Sequence, residues 1–540
     1  MDRRKFLRCG AAAGTLPFAL ARARALEAQS QASGDSFELH EMTIGQLSDG
    51  MKSGRFTAER LVELYSTRLN SIDRHGPELN AVIEMNPDAA GIAAALDQKL
   101  KAKGSRGPLH GIPVLIKDNI DTGDRMMTTA GSLALSGKSA PRDSGVAKRL
   151  RAAGAVILGK TNLSEWANFR SRQSISGWSG RGGQTRCSYV LDRNPSGSSS
   201  GSGAGASANL CAIAVGTETD GSIVSPSSMH SLVGIKPTVG LISRAGIVPI
   251  SHTQDTAGPM ARTVRDAAIL LGVLACTANG SDDPRDPATR ASIGKSQSDY
   301  TRFLDPHGLR GARLGVARKY FGRNARVDRI IEECLAEMKR QGAEIIDPAD
   351  LPPDSAVSHP ENEVLLYEFK ADLNAYLAAR GDTARVKSLA DVIAFNEREH
   401  AREMPLFGQD VMIQAEEKGP LTEQAYLDAL SLCGKRSRAD GIDAVLQANR
   451  LDAIVAPTGG LAWLTDPVNG DADTGSCSTQ PAVAGYPHVT VPAGYACGLP
   501  VGLSFFGTAW SEPVLLRLAY SFEQATKARR PPRFLPTAEI

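Results

Sequence analysis

One lysine and two serines stand in settings where their side chains could carry out acyl transfer. Lys117 ends a short apolar run, Ser198 lies in a Gly/Ser-rich tract, and Ser222 follows an Asp-Gly pair. A serine hydroxyl is a poor nucleophile unless a base takes its proton, and a lysine can be that base only when it is neutral. The three residues could therefore form a nucleophile with a proton relay that needs no histidine.

The apolar run 113–116 decides whether Lys117 can be neutral. Burial lowers the pKa of a lysine from its usual value of about 10.4. The run is typical of a buried strand, which would place Lys117 at its end. The alternative is a surface lysine paired with its neighbour Asp118, since most lysines are exposed.

The tight turn Asp220-Gly221-Ser222 predicts a place for negative charge. Successive backbone N–H groups in such a turn can form an anion-binding nest. During amide hydrolysis the carbonyl oxygen of the substrate becomes negatively charged, and donors of this kind stabilise it.

Three other motifs in the same region point to different chemistry. The run 154–161 satisfies the P-loop pattern, but its middle residues are predicted to form a strand, so no loop remains to hold phosphate. The run 197–201 satisfies G-x-S-x-G and would make Ser199 the nucleophile, but no buried strand precedes it. The run 201–206 is near a dinucleotide fingerprint and lacks that strand too. The whole tract could also be a flexible linker.

Alternating strand and helix patterns surround these residues. Strands are predicted over 113–116, 155–158, 212–215, 312–316, 344–346, 451–456, 488–492 and 501–506, and helices over 57–69, 87–103, 144–153, 202–211, 327–340 and 512–527. Gly104 is expected to end the second helix. The alternation predicts an α/β fold in which residues 37–540 form a single large domain, with a mixed central β-sheet covered by helices.

The N-terminus has the composition of a targeting segment. Arg3 and Arg4 begin a basic stretch, a mildly apolar stretch too short to span a membrane follows, and Ala23-Arg-Ala25 fits an A-x-A cleavage site. We expect a twin-arginine signal peptide over 1–25, a disordered linker over 26–36, and a mature protein that is periplasmic or secreted. The alternative is a disordered basic tail.

Charge and residue usage argue against several functions. The full chain has a net charge of +2, and removal of residues 1–25 leaves −3. A near-neutral body has no electrostatic footprint for nucleic acid or an anionic membrane, and no later segment reaches the ~18 apolar residues of a membrane-spanning helix. The eight cysteines include no C-x-x-C pair and the histidines no H-E-x-x-H, so no metal site or cofactor is expected. Disulfide pairing and oligomeric state stay open.

From about residue 40 to residue 535, the order and spacing of these motifs resemble the amidase signature family of amide hydrolases. The resemblance implies a Ser-cisSer-Lys triad in which Ser222 attacks the carbonyl carbon, Ser198 relays protons from a cis peptide bond after Gly197, and Lys117 is the terminal base. The implied oxyanion hole consists of the backbone N–H groups of Thr219, Asp220, Gly221 and Ser222.

Within that family, the segments 160–169, 176–179 and 507–513 are similar to bacterial peptide amidases. This resemblance implies a small-molecule or peptide amide as substrate, and release of ammonia from C-terminal peptide amides. A general aliphatic or aryl amidase remains an alternative. So does the A-type subunit of the tRNA amidotransferase, which shares the triad but works in the cytoplasm with partner subunits.

Three positions depart from the common family form G-T-D-x-G-G-S-I-R. Glu218 stands for Asp, Asp220 for Gly and Val224 for Arg. A charge pair usual in the family is therefore missing, which leaves open how the turn is braced.

Overall fold

An eleven-stranded mixed sheet runs through the computed structural model, which describes residues 37–276 and 282–540. The predicted signal peptide and linker lie outside the described residues. The strands are β1 (Val82–Met85), β2 (Pro113–Lys117), β3 (Val156–Thr161), β4 (Trp178–Ser179), β5 (Gly183–Gln184), β6 (Ile213–Glu218), β7 (Val233–Lys236), β8 (Thr256–Ala261), β9 (Arg313–Val316), β10 (Glu344–Ile346), β11 (Ala453–Pro457), β12 (His488–Ala496) and β13 (Leu499–Phe506). Their order is β1-β3-β2-β6-β8-β7-β12-β13-β11-β9-β10, with β4 and β5 paired apart.

Helices cover this sheet and extend beyond it. They are α1 (Ile44–Lys52), α2 (Ala58–Leu69), α3 (Ala89–Lys103), α4 (Gly145–Ala152), α5 (Ser200–Ser207), α6 (Val224–Met229), α7 (Val264–Leu274), α8 (Ala325–Arg340), α9 (Ser355–Arg380), α10 (Leu389–Arg398), α11 (His400–Glu403), α12 (Asp410–Glu416), α13 (Gln424–Gly434), α14 (Asp443–Asn449), α15 (Thr479–Ala484) and α16 (Glu512–Thr526). The prediction of one large α/β domain with a mixed sheet is confirmed.

The centre of the sheet brings the candidate residues to one edge. Strands β3, β2 and β6 are parallel neighbours, and Ile116 of β2 lies opposite Val215 of β6. The carboxyl ends of parallel strands meet at the same edge of a sheet, where α/β proteins bind their ligands. Lys117 ends β2 and Glu218 ends β6 at that edge.

Each strand predicted from the sequence corresponds to an observed strand, but five observed strands were not predicted: β1, β4, β5, β7 and β8. Strand β8 contains Gly258 and Pro259, which are uncommon inside strands and hide its pattern. Gly104 ends α3 with a φ of 78°, as expected. The predicted helix 202–211 is displaced, because α5 begins and ends earlier in the Gly/Ser tract.

Helix α5 shows why this tract is rich in glycine and serine. All eight of its residues are buried. A Cβ on Gly201 would collide with the carbonyl oxygen of Ala81 and would lie only 2.6 Å from the carbonyl oxygen of Asn162. Because only a side chain without Cβ permits this approach, the tract is a close-packed helix and not a linker.

The region 355–449 forms a helical layer that sequence patterns did not predict. On α9, Leu366, Phe369 and Leu373 belong to a buried apolar cluster that also contains Trp166 and Ile250 from two loops. The layer therefore covers loops at the edge of the sheet where Lys117 lies, instead of the sheet itself.

Candidate active site

Lys117 is fully buried and points toward a serine. Its Nζ donates to Ser198 Oγ at 2.7 Å, to Thr217 Oγ1 at 2.9 Å and to the Thr217 carbonyl oxygen at 3.2 Å. The alternative of a surface pair with Asp118 is wrong, because Asp118 contacts Arg181 at 3.2 Å and accepts a hydrogen bond from Thr129.

The surroundings of Lys117 favour its neutral form. Burial is the main cause and lowers the pKa of Lys117 to about 7, although the carboxylates of Asp255 and Glu218 raise it. A substantial fraction of Lys117 is therefore neutral near pH 7 and has a lone pair available.

Ser198 and Ser222 are held in neighbouring segments. The Gly197–Ser198 peptide bond is cis, as the family resemblance implies. The N–H of Ser199 donates to the Ser222 carbonyl oxygen at 3.2 Å, and Ser196 and Ser225 share a hydrogen bond of 2.8 Å between their hydroxyls. These contacts fix the loop of Ser198 against the turn of Ser222.

The Ser222 hydroxyl is free to meet a ligand. Ser222 is 8% exposed, and within residues 37–276 and 282–540 its Oγ forms no hydrogen bond, including none to Ser198. Catalytic hydrogen bonds are often long or misaligned without substrate and tighten when it binds.

Ser199, the nucleophile of the alternative elbow motif, is occupied. Its Oγ donates to the Thr217 carbonyl oxygen at 3.0 Å and accepts the Thr217 N–H at 3.1 Å. The next residue, Ser200, donates to the Ser196 carbonyl oxygen at 2.6 Å. Both hydroxyls are buried and support the loop, so the Ser199 hydroxyl is already engaged within the fold.

The turn from Thr219 to Ser222 presents unused backbone donors. Gly221 has a φ of 76°, a conformation that favours glycine. In the described part of the chain, the N–H groups of these four residues donate to no protein acceptor. Four free donors in one turn are suited to binding a negatively charged oxygen.

Glu218 braces this turn despite the missing family charge pair. Its Oε2 accepts the N–H groups of Ile223 at 2.7 Å and Val224 at 3.0 Å, at the start of α6. Burial raises the pKa of Glu218, and the ammonium of Lys236 lowers it. The turn is thus braced by backbone hydrogen bonds to Glu218.

Asp255, Thr479 and Glu361 were not predicted as site residues from the sequence. Asp255 Oδ1 accepts the Thr219 hydroxyl at 2.6 Å, and Asp220 Oδ2 accepts the Thr479 hydroxyl at 2.8 Å. Burial raises the pKa of Asp220, as it does that of the nearby Glu361 carboxyl. These residues come from segments far apart in the chain, and no local motif marks them.

The P-loop pattern at 154–161 corresponds to strand β3 and the two residues before it. Lys160 is buried, and its Nζ donates to the Ile120 carbonyl oxygen at 2.7 Å and to Thr128 Oγ1 at 2.8 Å. A P-loop lysine must reach phosphates from a flexible loop, so this lysine has a structural role.

Trp178, in one of the segments similar to peptide amidases, belongs to a small buried cluster with Ile175 and Phe407. Its ring centroid lies 5.2 Å from that of Phe407, and the Arg170 guanidinium lies over both rings. Arg170 also pairs with the buried Glu165.

In the segment 176–179, the Gly177 N–H donates to Ser164 Oγ at 2.9 Å. The Ser164 N–H donates in turn to the Ser198 carbonyl oxygen at 3.1 Å. The segment 176–179 therefore supports the loop of Ser198.

The described residues contain one cluster with metal-ligand chemistry, formed by His252, Glu368 and Asp372. Their separation in sequence hid it from motif analysis. The seven cysteines between Cys187 and Cys497 are free thiols. No helix in the described ranges is both long and apolar enough to cross a membrane.

A family model and a solved structure both match most of this chain. The chain matches the family model described as Amidase over residues 60–516. Among solved structures it is similar to the native peptide amidase from Stenotrophomonas maltophilia, with 49% identity and a TM-score of 0.87, covering 92% of this chain and 99% of that one.

Two curated relatives extend the comparison. A probable amidase of Arabidopsis thaliana is 44% identical over 509 residues, covering 93% of each chain. The A-type subunit of the glutamyl-tRNA(Gln) amidotransferase of Methylobacillus flagellatus is 33% identical over 502 residues, covering 90% of this chain and 97% of the relative.

Proposed function

We propose that this chain, which belongs to the amidase signature family and is an amide-hydrolysing enzyme, is a peptide amidase. Its proposed reaction is the release of ammonia from C-terminal peptide amides. The observation that carries the chemistry is the hydrogen bond from a buried Lys117 to Ser198, beside the free donors of the Ser222 turn.

In the proposed acylation step, neutral Lys117 takes a proton from Ser198 as Ser198 takes the proton of Ser222. The Ser222 oxygen attacks the amide carbon, and the C–O bond forms while the carbonyl oxygen becomes an oxyanion. The N–H groups of Thr219, Asp220, Gly221 and Ser222 stabilise that charge. The proton then returns through Ser198 to the amide nitrogen, the C–N bond breaks, and ammonia leaves.

The deacylation step repeats this sequence with water. Lys117, acting through Ser198, takes a proton from the water that attacks the ester carbon. When the tetrahedral intermediate collapses, the proton returns to Ser222 Oγ and the carboxylic acid is released. Neither half of the proposed cycle calls for a metal or a cofactor.

The relatives favour a peptide amide over the alternatives. The peptide amidase of S. maltophilia shares 49% of aligned residues with this chain, whereas the amidotransferase relative shares 33%. Trp178, which packs on Phe407 and under the Arg170 guanidinium, lies in the segment 176–179 that is similar to peptide amidases. A general amidase remains the second candidate.

The substrate proposal is tested with an amidated pentapeptide and EDTA-treated enzyme, and the products are identified by mass. We expect a gain of about 1 Da, from replacement of the terminal amide by a carboxyl group, with no internal cleavage. A panel of aliphatic and aryl amides is the comparison. Turnover of that panel without turnover of the peptide would assign a general amidase instead.

We also propose export, supported by the Arg3-Arg4 stretch and Ala23-Arg-Ala25. N-terminal sequencing of periplasmic protein should find a start at or near Leu26, and Arg3→Lys with Arg4→Lys should leave active enzyme in the cytoplasm. An intact Met1 on a wholly cytoplasmic wild-type enzyme would contradict export and favour the amidotransferase alternative.

A further inference from the structure

The loop before β8 reaches the proposed oxyanion turn from outside the triad. Asp255, the last residue of this loop, is half-buried beside β6, and its Oδ1 accepts the Thr219 hydroxyl at 2.6 Å. Its other oxygen accepts the N–H groups of Ile250 at 2.8 Å and Ser251 at 3.0 Å. The carboxylate therefore joins the loop to the first residue of the turn.

A single face of α9 clamps the same loop. Glu368 Oε2 accepts the Ser251 hydroxyl at 2.5 Å and the Thr253 hydroxyl at 3.0 Å. One turn further along α9, Asp372 Oδ2 accepts the His252 N–H at 2.8 Å. The loop is thus held at three consecutive residues before it reaches Asp255.

The third acidic residue of this face, Glu361, ties the loop to the turn itself. The Gln254 amide donates to Glu361 Oε1 at 2.9 Å and to the Thr219 carbonyl oxygen at 3.4 Å. Thr219 is therefore held from both ends, at its hydroxyl by Asp255 and at its carbonyl by Gln254.

This clamp also explains the cluster of His252, Glu368 and Asp372. Both carboxylate oxygens of Glu368 are already engaged, since Oε1 accepts the Tyr426 hydroxyl at 2.8 Å and Oε2 binds the loop. His252 Nδ1 lies 2.9 Å from Asp372 Oδ2. The Glu368 oxygens are occupied by Tyr426 and the loop, and Asp372 is occupied by His252, so the cluster is a structural contact between α9 and the loop.

We propose that Asp255 is a positioning residue for catalysis: through Thr219 it holds the backbone donors of the 219–222 turn where the oxyanion forms. The inference rests on the proposed function of that turn. Oxyanion donors act only when they are placed in advance at hydrogen-bond distance from the developing charge, and Asp255 restrains the residue at which this turn begins.

The negative charge of Asp255 allows its positioning role to be tested in a second way, through the pH dependence of kcat/KM. Its carboxylate raises the pKa of Lys117, and the Arg244 guanidinium faces Asp255 from the loop after β7. Removal of the negative charge should lower the pKa of Lys117. The acid limb of kcat/KM should then move to lower pH, an effect that loss of packing alone would not produce.

The test uses Thr219→Val, Thr219→Ser, Asp255→Asn and the double variant Thr219→Val/Asp255→Asn, with amide turnover measured across pH. Thr219→Val should lower kcat by about 10- to 100-fold with little change in KM, as expected when an oxyanion donor is displaced. Thr219→Ser keeps a hydroxyl and should recover most of that loss. The kcat of the double variant should lie within about 3-fold of the kcat of the less active single variant, because both substitutions remove the same hydrogen bond between Thr219 and Asp255.

The matched control is Asp443→Asn, which alters a similar threonine–aspartate pair, Thr508 Oγ1 to Asp443 Oδ1 at 2.9 Å, away from the turn. It should leave kcat and the pH profile unchanged. A Thr219→Val variant with wild-type kcat, or an Asp255→Asn variant with an unmoved acid limb, would overturn the proposal. If the wild-type enzyme hydrolyses no amide, the proposed function fails, and phosphonylation rates of Ser222 in the same variants still test the positioning role.

Discussion

Thr479 donates its hydroxyl to Asp220 Oδ2 at 2.8 Å, so the turn of the nucleophile is tied to a residue 259 positions later in the chain. Thr479 begins α15, and the neighbouring Ser478 lies against Gly221. The turn is therefore restrained by Thr479 at the start of α15 as well as by Glu218 at the end of β6.

Thr479→Val should lower kcat without unfolding the protein. The variant leaves the half-buried Asp220 carboxylate with one donor fewer, and loss of a hydrogen bond to a charged group costs about 1.5–3 kcal/mol. We expect kcat to fall by about 10-fold, measured on an amidated peptide. Thr479→Ser keeps the donor and should recover activity; equal activity of Val and wild type would show that this contact does not position the turn.

Ser222→Ala should remove nearly all turnover, by a factor of about 10³ to 10⁶, because the nucleophile is lost. Ser199→Ala is the control. It deprives the Thr217 N–H and carbonyl of their partner, so it should cost about 1–3 kcal/mol of stability while a fluorophosphonate still labels Ser222. Mass spectrometry of the labelled peptide decides between the two serines, and a label on Ser199 would contradict the assignment.

Activity should fall on the acid side as Lys117 takes up a proton. Burial lowers the pKa of Lys117 to about 7, so kcat/KM should decline below about pH 7 as the neutral base disappears. Lys117→Arg should be inactive at every pH tested, because arginine stays charged. An active arginine variant would show that Lys117 does not act as a base.

Lys117→Met should be inactive, and its free energy of unfolding relative to the wild-type enzyme should depend on pH. The pKa of Lys117 lies below its usual value of 10.5 in the folded chain, at about 7, so its stability contribution is present above about pH 10.5 and is lost as pH falls toward 7. The free energy of unfolding of the variant, relative to wild type, should rise as pH falls over that interval. Denaturant unfolding at several pH values measures the slope; a flat difference would contradict burial of an ionisable amine.

Gly201→Ala should prevent or strongly weaken folding, since its Cβ would meet the backbone of Ala81 and Asn162. Overpacking against backbone costs about 1–3 kcal/mol or more. Gly91→Ala is the matched control: Gly91 lies within α3 and a Cβ there meets no atom within 4 Å. It should stabilise the protein by about 0.5–1 kcal/mol. Thermal unfolding of both variants gives the comparison.

Local patterns were enough to predict the strands that place Lys117 and the turn of Ser222. A buried apolar run needs only its own residues to be recognised, as 113–116 was. Asp255, Thr479 and α9 could not be found in this way, because their roles depend on contacts across the fold. The Gly/Ser tract was a further limit: its lack of apolar side chains resembles a linker, and only the packing of α5 shows that every residue is buried.

The free thiols give the molecule a practical property. Of the seven cysteines from Cys187 onward, six are buried and Cys497 is partly exposed. Cys497 lies between β12 and β13, in the turn that also contains Gly498. Within the described residues, a thiol-reactive dye or spin label should thus attach to the folded enzyme mainly at Cys497, and reducing agents in the buffer should leave the fold of these residues unaffected.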